Sequence, residues 1–523
     1  MSDSYECLSF TDAFFMYLEQ PGSPLNVASV SAFEGTITLD ECSRYIESKL
    51  PSIPRFLQRV VPSPFGIGAP TWQYDPQFDV RNHVREVTLK RGTEAEWKAA
   101  VSEVLSHNFD RSRPLWDITL FHGLRSERTG LAVRAHHCLV DGVAGVGLLK
   151  ALLNESAVSP PLPRRRKRRV AVPPKHELGT ELLDGLIRSC FSTAQALLTA
   201  HSELLRMAQQ ASACANSQAG SKPGTQIPAG PLGRVAPLGD LARLLSELAQ
   251  PVEKLPFNVL CRGPQKFDWV EIPMAEIESV RHACDATVND VVLTTLILAL
   301  RSYAELHKPD EKRRGLRIVI PVNVRAESEA PGTGNQITFL PVDIPTSTRD
   351  PRKLLSLIQK RVAFSRTAYA AELVALAGLL MEAIPTALQS LAGAVLSQLP
   401  ISVCNSICTN VHGPATPLYL LGHKLLSTYP YVPIGGEMGM NCAVLSYNGS
   451  LFVGFTGDAQ AVPDLSRLAA MFAASFAELR TAVGVQASRR KHSRVKRVLS
   501  KAGEEPAPVT ASTTVTAAAA AVA

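Results

Sequence analysis

The sequence contains no apolar run long enough to cross a bilayer as a helix. Its longest uncharged stretch, from Ala383 to His423, is broken by Pro385 and Pro400. The 14 residues between these prolines fall short of the about 20 that a transmembrane helix needs. The N-terminal segment also lacks a basic stretch followed by an apolar core, so no secretory signal is expected. These absences predict a protein that works in the cytoplasm.

Cysteine pairs and several common catalytic signatures are missing as well. The 10 cysteines form no C-x-x-C pair, which predicts reduced thiols rather than a disulfide framework. The sequence has neither the G-x-S-x-G of serine hydrolases nor a G-x-x-x-x-G-K-[ST] phosphate loop. Gly142, Gly145 and Gly147 do not have the spacing of a dinucleotide-binding fingerprint. Serine hydrolases and nucleotide-binding enzymes are therefore not favoured.

The excess of positive charge is confined to two short runs. The formal net charge is +7, from 54 basic and 47 acidic residues. Residues 164–169 (RRRKRR) and 489–501 (RRKHSRVKRVLSK) hold 13 of the basic residues and no acid, which leaves 41 basic against 47 acidic residues elsewhere. Such runs suit contact with an anionic membrane surface, and a solvated linker is an equal alternative. Nucleic-acid binding is not expected, because no interleaved aromatic residues or reading motif accompany the runs.

Length and composition predict two folded domains with additional segments. Residues 1–158 are predicted to form a mixed α/β domain, and residues 256–486 a second folded domain. Between them, residues 159–255 combine a basic linker, a long amphipathic helix from Glu177 to Gln210 and a flexible connection. Residues 487–523 are basic and then alanine-rich, and we expect them to be disordered.

Apolar periodicity locates individual elements within the two domains. Helices are predicted from Thr11 to Glu19, with Thr11 or Ser9 as the cap, from Thr93 to His107, and from Asp464 to Val483. The predicted strands are Leu131 to His137, Arg317 to Val322, Ile337 to Ile344, Asn441 to Tyr447 and Leu451 to Thr456. The last two flank Asn448-Gly449, a strong signal for a tight hairpin turn.

The segment from Arg134 to Gly142 (RAHHCLVDG) carries the candidate chemistry. Side chains alternate along a strand, so His137 follows apolar residues on one face while His136 shares the other face with Arg134. A neutral histidine can take a proton from an alcohol, a contribution of about 10²–10⁴-fold to the rate. We therefore predict that His137 is a general base, and an ordinary core histidine is the alternative.

A metal site is not expected at this segment. Neighbouring histidines on a strand point to opposite faces, and zinc needs three or four ligands. Asp141 and Gly142 are instead predicted to form a tight turn into the next helix.

The pattern H-H-x-x-x-D-G at residues 136–142 resembles the signature of acyl-CoA-dependent acyltransferases and of peptide-synthetase condensation domains. The wider chain resembles the bifunctional wax ester synthase/diacylglycerol acyltransferase family from about residue 7 to residue 485. The segments that carry this resemblance are LSFTDAFFMYLEQPGSPLNVASVSAFEG near the N-terminus, Pro114-Leu115-Trp116, Val288-Asn289-Asp290-Val291, Pro321-Val322-Asn323-Val324-Arg325, Asn410-Val411-His412-Gly413-Pro414 and Asn441 to Asp458.

The resemblance implies an α/β fold with mixed sheets: two chloramphenicol-acetyltransferase-like domains in one chain, with an active-site tunnel between them. It implies that His137 is the catalytic base, that His136 supports it, and that Asp141 has a structural role at the Gly142 turn. A direct proton-relay role for Asp141 is the less favoured alternative. A buried Asp141 carboxylate would need a partner such as an arginine, which the sequence does not identify.

The implied substrates are acyl-CoA and a lipid hydroxyl, either diacylglycerol, which would give triacylglycerol, or a long-chain alcohol, which would give a wax ester. No cofactor, metal or covalent acyl-enzyme is implied. A cytoplasmic enzyme bound peripherally to a membrane or to lipid inclusions is expected.

Several residues within the resemblance keep more than one interpretation. Asn289 and Asp290 match a motif near the family's active site, where an amide could bind the developing oxyanion; a helix cap before the apolar run is equally open. Pro114, Leu115 and Trp116 are interpreted as packing residues rather than catalytic ones. The chain departs from the family pattern at Asn323 and His412 and over residues 156–255.

Two other classes of protein remain as alternatives. An amide-forming condensation enzyme shares the histidine motif, but carrier-protein domains are not visible in this sequence. A non-catalytic lipid-surface protein could keep the fold and the basic runs, yet it would have no reason to keep the whole histidine motif.

Overall fold

The computed structural model describes residues 6–63, 68–140, 151–158, 195, 198–199, 202, 252–308, 315–323, 337–345, 347–367, 384–396 and 404–487. Asp141, Gly142, the predicted helix from Glu177 to Gln210 and both basic runs lie outside these residues, except for a few isolated positions of that helix.

The described part of the chain is a mixed α/β fold. In chain order its strands are β1 (Glu6–Cys7), β2 (Asn26–Glu34), β3 (Gln58–Val61), β4 (Thr71–Tyr74), β5 (Val84–Thr88), β6 (Trp116–Leu124), β7 (Arg128–His136), β8 (Gln265–Pro273), β9 (Gly315–Asn323), β10 (Ile337–Pro345), β11 (Ser406–His412), β12 (Tyr419–Leu420), β13 (His423–Tyr431), β14 (Met440–Tyr447) and β15 (Ser450–Asp458). Its helices are α1 (Phe10–Leu18), α2 (Leu39–Lys49), α3 (Glu94–Leu105), α4 (Met274–Ala283), α5 (Val288–His307), α6 (Pro351–Thr367), α7 (Thr386–Leu396) and α8 (Leu465–Ala482).

The first large sheet, sheet 1, combines strands from both halves of the chain. Its order is β12-β13-β2-β7-β6-β5, with β5 parallel to β6 and the other pairs antiparallel. The strands β12 and β13 come from the second half, and β13 pairs with β2 from Leu425↔Phe33 to Tyr431↔Ala28. The first half therefore depends on the second for the neighbour of β2.

The second large sheet, sheet 2, has the order β10-β9-β11-β14-β15-β8. Its central strand β11 is parallel to both β9 and β14. Helix α5 is buried along most of its length and packs against α6 and α8, which explains its nearly continuous apolar sequence. A third, small sheet has the order β1-β4-β3.

The two halves meet where α3 covers the edge strand β8. The Ser106 hydroxyl accepts from the Gln265 backbone N–H at 2.9 Å, and the Ser102 hydroxyl accepts from the Phe267 N–H at 3.0 Å. Two tryptophans, Trp97 of α3 and Trp269 of β8, pack edge to face with ring centroids 5.0 Å apart. These serines satisfy N–H groups that an uncovered edge would leave unpaired.

The periodicity-based predictions are confirmed for the elements that the structure describes. The three predicted helices appear as α1, α3 and α8, and Ser9 rather than Thr11 caps α1. The predicted hairpin joins β14 to β15, with φ of 43° at Asn448 and 80° at Gly449. These left-handed values are the ones that an Asn-Gly turn accommodates.

None of the helices in the described ranges is, by itself, both long and apolar enough to cross a membrane. The pair α4 and α5 passes that test together by length and composition, with a bend of 97° between the two helices.

Candidate functional site

The two histidines lie at the end of β7, where the strand enters a turn. The strand stops at His136, one residue earlier than predicted, so His137 is the first residue of the turn. The N–H of His137 donates to the Leu25 carbonyl at 2.9 Å, and the N–H of His136 donates to the Leu115 carbonyl at 2.9 Å. We call residues 136–140 the histidine turn. Its backbone is held on both sides, by the segment before β2 and by the loop before β6.

The His137 ring is half-buried beneath α1. The Phe15 ring stacks on it with centroids 4.0 Å apart and planes inclined by 10°. The stack fixes the plane of the imidazole without using a ring nitrogen. The Nδ1 atom of this ring is buried, so general-base chemistry at His137 would use Nε2.

His136 projects from the opposite face of β7, and this face is buried more deeply than the face of His137. His136 is 1% exposed and Arg134 is 2% exposed. The Arg134 guanidinium binds Asp117 through two hydrogen bonds of 2.8 and 2.5 Å, and it also donates to the carbonyl of His107 at 2.9 Å. The sequence predicts only that this arginine points away from the apolar side; in the structure its ion-pair partner comes from β6, and α3 covers it through the Val104 carbonyl, which accepts from Arg134 Nη1 at 2.5 Å.

The contacts of His136 define the tautomer of its ring. Its Nδ1 faces the N–H of Cys138 at 3.2 Å and therefore accepts that proton. Because Nδ1 carries no proton, the neutral ring has its proton on Nε2. Nε2 lies 3.5 Å from Glu19 Oε1, and this contact is electrostatic, because the nitrogen makes no hydrogen bond to the described residues.

Glu19 is a buried carboxylate at the C-terminus of α1. One oxygen accepts from Arg111 Nη2 at 2.9 Å, and the other accepts from the Leu25 N–H at 3.2 Å. Burial alone would raise the pKa of Glu19, but the contacts with His136 and Arg111 outweigh it and lower the pKa to about 2. Glu19 is therefore an anion at any pH at which the enzyme could work.

Glu19, Arg111 and Phe15 were not predicted as site residues. Glu19 and Arg111 are 92 positions apart, so no local pattern connects them. A buried acid at the end of an apolar helix would have been a usable signal, because such a group needs a charged partner.

Pro114, Leu115 and Trp116 lie directly beside the histidine turn. Trp116 is 1% exposed, its indole N–H donates to the Phe56 carbonyl at 2.8 Å, and its ring stacks on His83 at 4.5 Å. The Leu115 carbonyl receives the His136 N–H. These contacts are those of packing residues, as interpreted from the sequence.

Asn289 and Asp290 lie in the first turn of α5, and neither is its N-cap. The cap is Thr287; the carboxylate of Asp290 accepts from the Thr287 N–H at 2.9 Å and from its hydroxyl at 2.7 Å, which makes a capping box. The N-cap therefore lies two residues before Asn289 and three before Asp290, and Asp290 takes part in the cap only through the capping box. The Asn289 Oδ1 atom is buried and has no hydrogen-bond partner among the described residues.

A cavity of about 410 Å³ opens on the face of β7 that carries Arg134. Its lining includes His83, Arg85, His107, Pro114 and Asp117, and His137 is not among the lining residues. Across the described ranges, no group of three or more His, Cys, Asp or Glu side chains is placed to hold a metal ion.

Two family models and several curated relatives match most of the chain. The model of the wax ester synthase/diacylglycerol acyltransferase catalytic domain matches residues 8–292, and that of the corresponding C-terminal domain matches residues 333–480. The probable diacylglycerol O-acyltransferase tgs1 of Mycobacterium tuberculosis is 25% identical, over 88% of this chain and 93% of the relative. The probable diacylglycerol O-acyltransferase tgs2 of the same species is 28% identical, over 91% of this chain and 98% of the relative.

Two solved structures share the fold. The wax ester synthase/diacylglycerol acyltransferase from Marinobacter aquaeolei VT8 has a TM-score of 0.60 at 21% identity, over 92% of this chain and all of that chain (100%). The first condensation domain of the CDA synthetase has a TM-score of 0.56 at 13% identity, over 93% of this chain and 98% of that chain. At these identities the likeness concerns the fold alone.

Proposed function

Because the chain belongs to the wax ester synthase/diacylglycerol acyltransferase family, we propose that it transfers a long-chain acyl group from acyl-CoA to a lipid hydroxyl. Diacylglycerol is the favoured acceptor, since the curated relatives tgs1 and tgs2 bear the name diacylglycerol O-acyltransferase. A long-chain alcohol, which would give a wax ester, is the second acceptor, because the family name includes that activity.

In this proposal His137 is the general base. Its ring nitrogen takes the proton of the lipid hydroxyl, and the oxygen attacks the thioester carbonyl carbon. The tetrahedral intermediate collapses, the C–S bond breaks, and CoA leaves as the thiol after taking up the proton. The reaction balances without a covalent acyl-enzyme and without a cofactor, since acyl-CoA is consumed as a substrate.

The observation that carries this assignment is the placement of the His137 ring. It is half-buried, its plane is fixed by Phe15 at 4.0 Å, and its backbone is fixed by Leu25 at 2.9 Å. A general base needs a defined orientation and an approach for the substrate. His136, at 1% exposure, offers no such approach and is proposed to support the turn. Asp141 and Gly142 lie outside the described residues, and the structural role at the turn that the family resemblance implies for them stays part of the proposal.

The tunnel between the two halves is also part of the proposal. It is supported by helix α1, which covers His137 and packs on α7 of the second half. The approach is close at Gly393, where an added Cβ would lie 2.6 Å from the Tyr17 Cβ. In this arrangement acyl-CoA reaches His137 from one end, and the lipid acceptor reaches it from the other.

Peripheral contact with a membrane or a lipid inclusion would bring the insoluble acceptor to this site. Helix α7 has no charged residue, and Leu388, Leu391 and Val395 on it are each 50–61% exposed. Such a stripe is suited to an apolar surface. Flotation with anionic vesicles tests this contact, and recovery of all the protein in the soluble fraction would contradict it.

The test of the function is thiol release from palmitoyl-CoA in the presence of diacylglycerol, hexadecanol or an amine. We expect CoA release with an alcohol acceptor and formation of the matching ester. Turnover only with the amine would favour a condensation enzyme, and lipid binding without CoA release would favour a non-catalytic surface protein.

We predict that His137→Ala lowers ester formation by about 10²-fold or more, because the base is removed from the reaction. His136→Ala should lower activity less than His137→Ala does, and it should lower the melting temperature more. Circular dichroism and melting temperature provide the control for folding. Wild-type activity in folded His137→Ala protein would rule out the proposed mechanism.

A further inference from the structure

Glu19 lies at the centre of a buried network that reaches both histidines. Its side chain is 3% exposed, and neither Glu19 nor its partner Arg111 belongs to the H-H-x-x-x-D-G motif. The carboxylate contacts one side chain that is half exposed, Arg111, and two groups that belong to the histidine turn or adjoin it. A buried charge of this kind destabilises the folded protein unless it is fully paired. Its position beside the turn therefore points to a function there.

The first branch of the network leads to the ring of His136. Nδ1 of this ring accepts from the Cys138 N–H at 3.2 Å, which leaves Nε2 as the protonated nitrogen, 3.5 Å from Glu19 Oε1. The Cys138 N–H therefore selects this tautomer through its hydrogen bond, and the Glu19 carboxylate favours it electrostatically from the other end of the ring. If that tautomer were reversed, Nδ1–H would face the Cys138 N–H, and the turn would have to rearrange.

The second branch leads to the backbone of His137. The N–H of Leu25 donates to Glu19 at 3.2 Å, and the carbonyl of the same residue accepts from the His137 N–H at 2.9 Å. Leu25 thus connects the carboxylate to the base through two hydrogen bonds.

The third branch leads to the ring that covers His137. Arg111 donates to Glu19 at 2.9 Å and to the carbonyl of Met16 at 3.1 Å, so it holds the last turn of α1. The same helix places Phe15 on the imidazole of His137 at 4.0 Å. All three branches therefore depend on one carboxylate and its arginine.

We propose that Glu19, held by Arg111, is a positioning residue for the acyl transfer: it fixes the tautomer of His136 and the placement of His137 without touching the reacting atoms. The proposal rests on the proposed function. It also gives the anion an electrostatic effect, because a nearby negative charge stabilises the protonated form of a histidine. Other charges acting on the turn at Cys138 come from Asp12 and Arg55, and these remain in a Glu19 variant.

The test compares Glu19→Gln with a matched variant elsewhere. Glu276→Gln breaks a similar pair between Glu276 of α4 and Arg480 of α8, whose side chains are 10% and 13% exposed. Both substitutions should lower the melting temperature. Only Glu19→Gln should lower kcat, by about 10- to 100-fold, with the KM for palmitoyl-CoA changed less than about twofold, because misplacing a base affects the chemical step.

The pH profile distinguishes positioning from simple loss of stability. Removing the Glu19 charge should move the acid limb of the kcat profile to lower pH, since the imidazolium of His137 loses a stabilising anion. Glu19→Asp keeps the charge and should restore the limb, though not all of kcat. A Glu19→Gln enzyme with the wild-type kcat and pH profile, or one that loses only what Glu276→Gln loses, would overturn the proposal.

A measurement that does not depend on catalytic turnover tests this proposal independently of the proposed function. Nitrogen-15 NMR of histidine-labelled protein, assigned with His136→Gln, should show His136 as the Nε2–H tautomer in the wild type. The signal should change in Glu19→Gln and persist in Glu276→Gln. A protonated or Nδ1–H His136 in the wild type would overturn the proposal, whether or not the enzyme releases CoA.

Discussion

Two histidines that are adjacent in the sequence occupy different chemical environments. Both nitrogens of the His136 ring face protein groups, namely the Cys138 N–H and Glu19. His137 instead has a covered ring face, under Phe15, and a half-buried side chain. The difference follows from the opposite faces that successive strand residues take. A single position at the end of β7 therefore separates a supporting ring, on the last strand residue, from a ring on the first turn residue that can meet a substrate.

Arg134 is a second residue whose importance is not visible in the motif. We predict that Arg134→Met costs about 3 kcal/mol of stability, because it leaves Asp117 with only part of its partners in a buried site. Arg85 remains on Asp117 at 2.9 Å, which places the cost near the lower end for a broken buried pair. Chemical denaturation measures the effect.

The control for Arg134→Met is Asp40→Asn, which breaks the exposed pair of Asp40 with Arg44 at 2.9 Å and should change stability little. Folded Arg134→Met protein should keep its kcat. Normal stability with a large loss of kcat would show instead that the guanidinium takes part in the reaction.

At the scale of elements, the first turn of α5 gives different roles to the adjacent motif residues Asn289 and Asp290. We predict that Asp290→Ala costs about 1 kcal/mol, because it removes one half of the capping box. The activity of the protein that remains folded should be unchanged. Melting temperature and kcat, measured on the same samples, check this outcome.

Asn289→Ala is the companion variant on the same helix turn. It makes no contribution to the capping box, so we expect a smaller change in melting temperature than for Asp290→Ala. A drop in kcat confined to Asn289→Ala would support an oxyanion role for its amide, and equal kcat in both variants would contradict that role.

The elements that were predictable from the sequence are those with strong local signals. Helices α1, α3 and α8 have apolar residues at helical spacing, and Asn448-Gly449 permits the left-handed φ values of its turn. The burial of Arg134 was not predictable in this way, because helix α3, which covers it through the Val104 carbonyl, comes from a separate part of the chain. Local patterns determine which face a residue takes and do not determine what packs against that face.

At the scale of the whole molecule, the sequence divides into two halves, but sheet 1 contains strands from both of them. Strand β13 from the second half pairs with β2 over six partner positions, and Asn154 exchanges two backbone hydrogen bonds with Tyr419 at 2.7 and 2.8 Å. The pairing of strands from the two halves has no signature in composition or periodicity, because pairing between distant strands depends on the tertiary fold. It also brings both halves to the sheet that carries the histidine turn.

We therefore predict that residues 1–255 do not form a stable domain when expressed alone. Without β13, strand β2 would expose a row of unpaired N–H and C=O groups next to the strand that ends in His136, and such an edge favours aggregation. Strand β13 belongs to sheet 1, so residues 256–486 keep every strand pairing of sheet 2 and should be the more soluble fragment. Sedimentation and circular dichroism of each fragment, with the full chain as control, measure this. A monomeric and cooperatively folded 1–255 fragment would show that sheet 1 is stable without the exchanged strand, and co-expression that restores CoA release would show that the active site needs both halves.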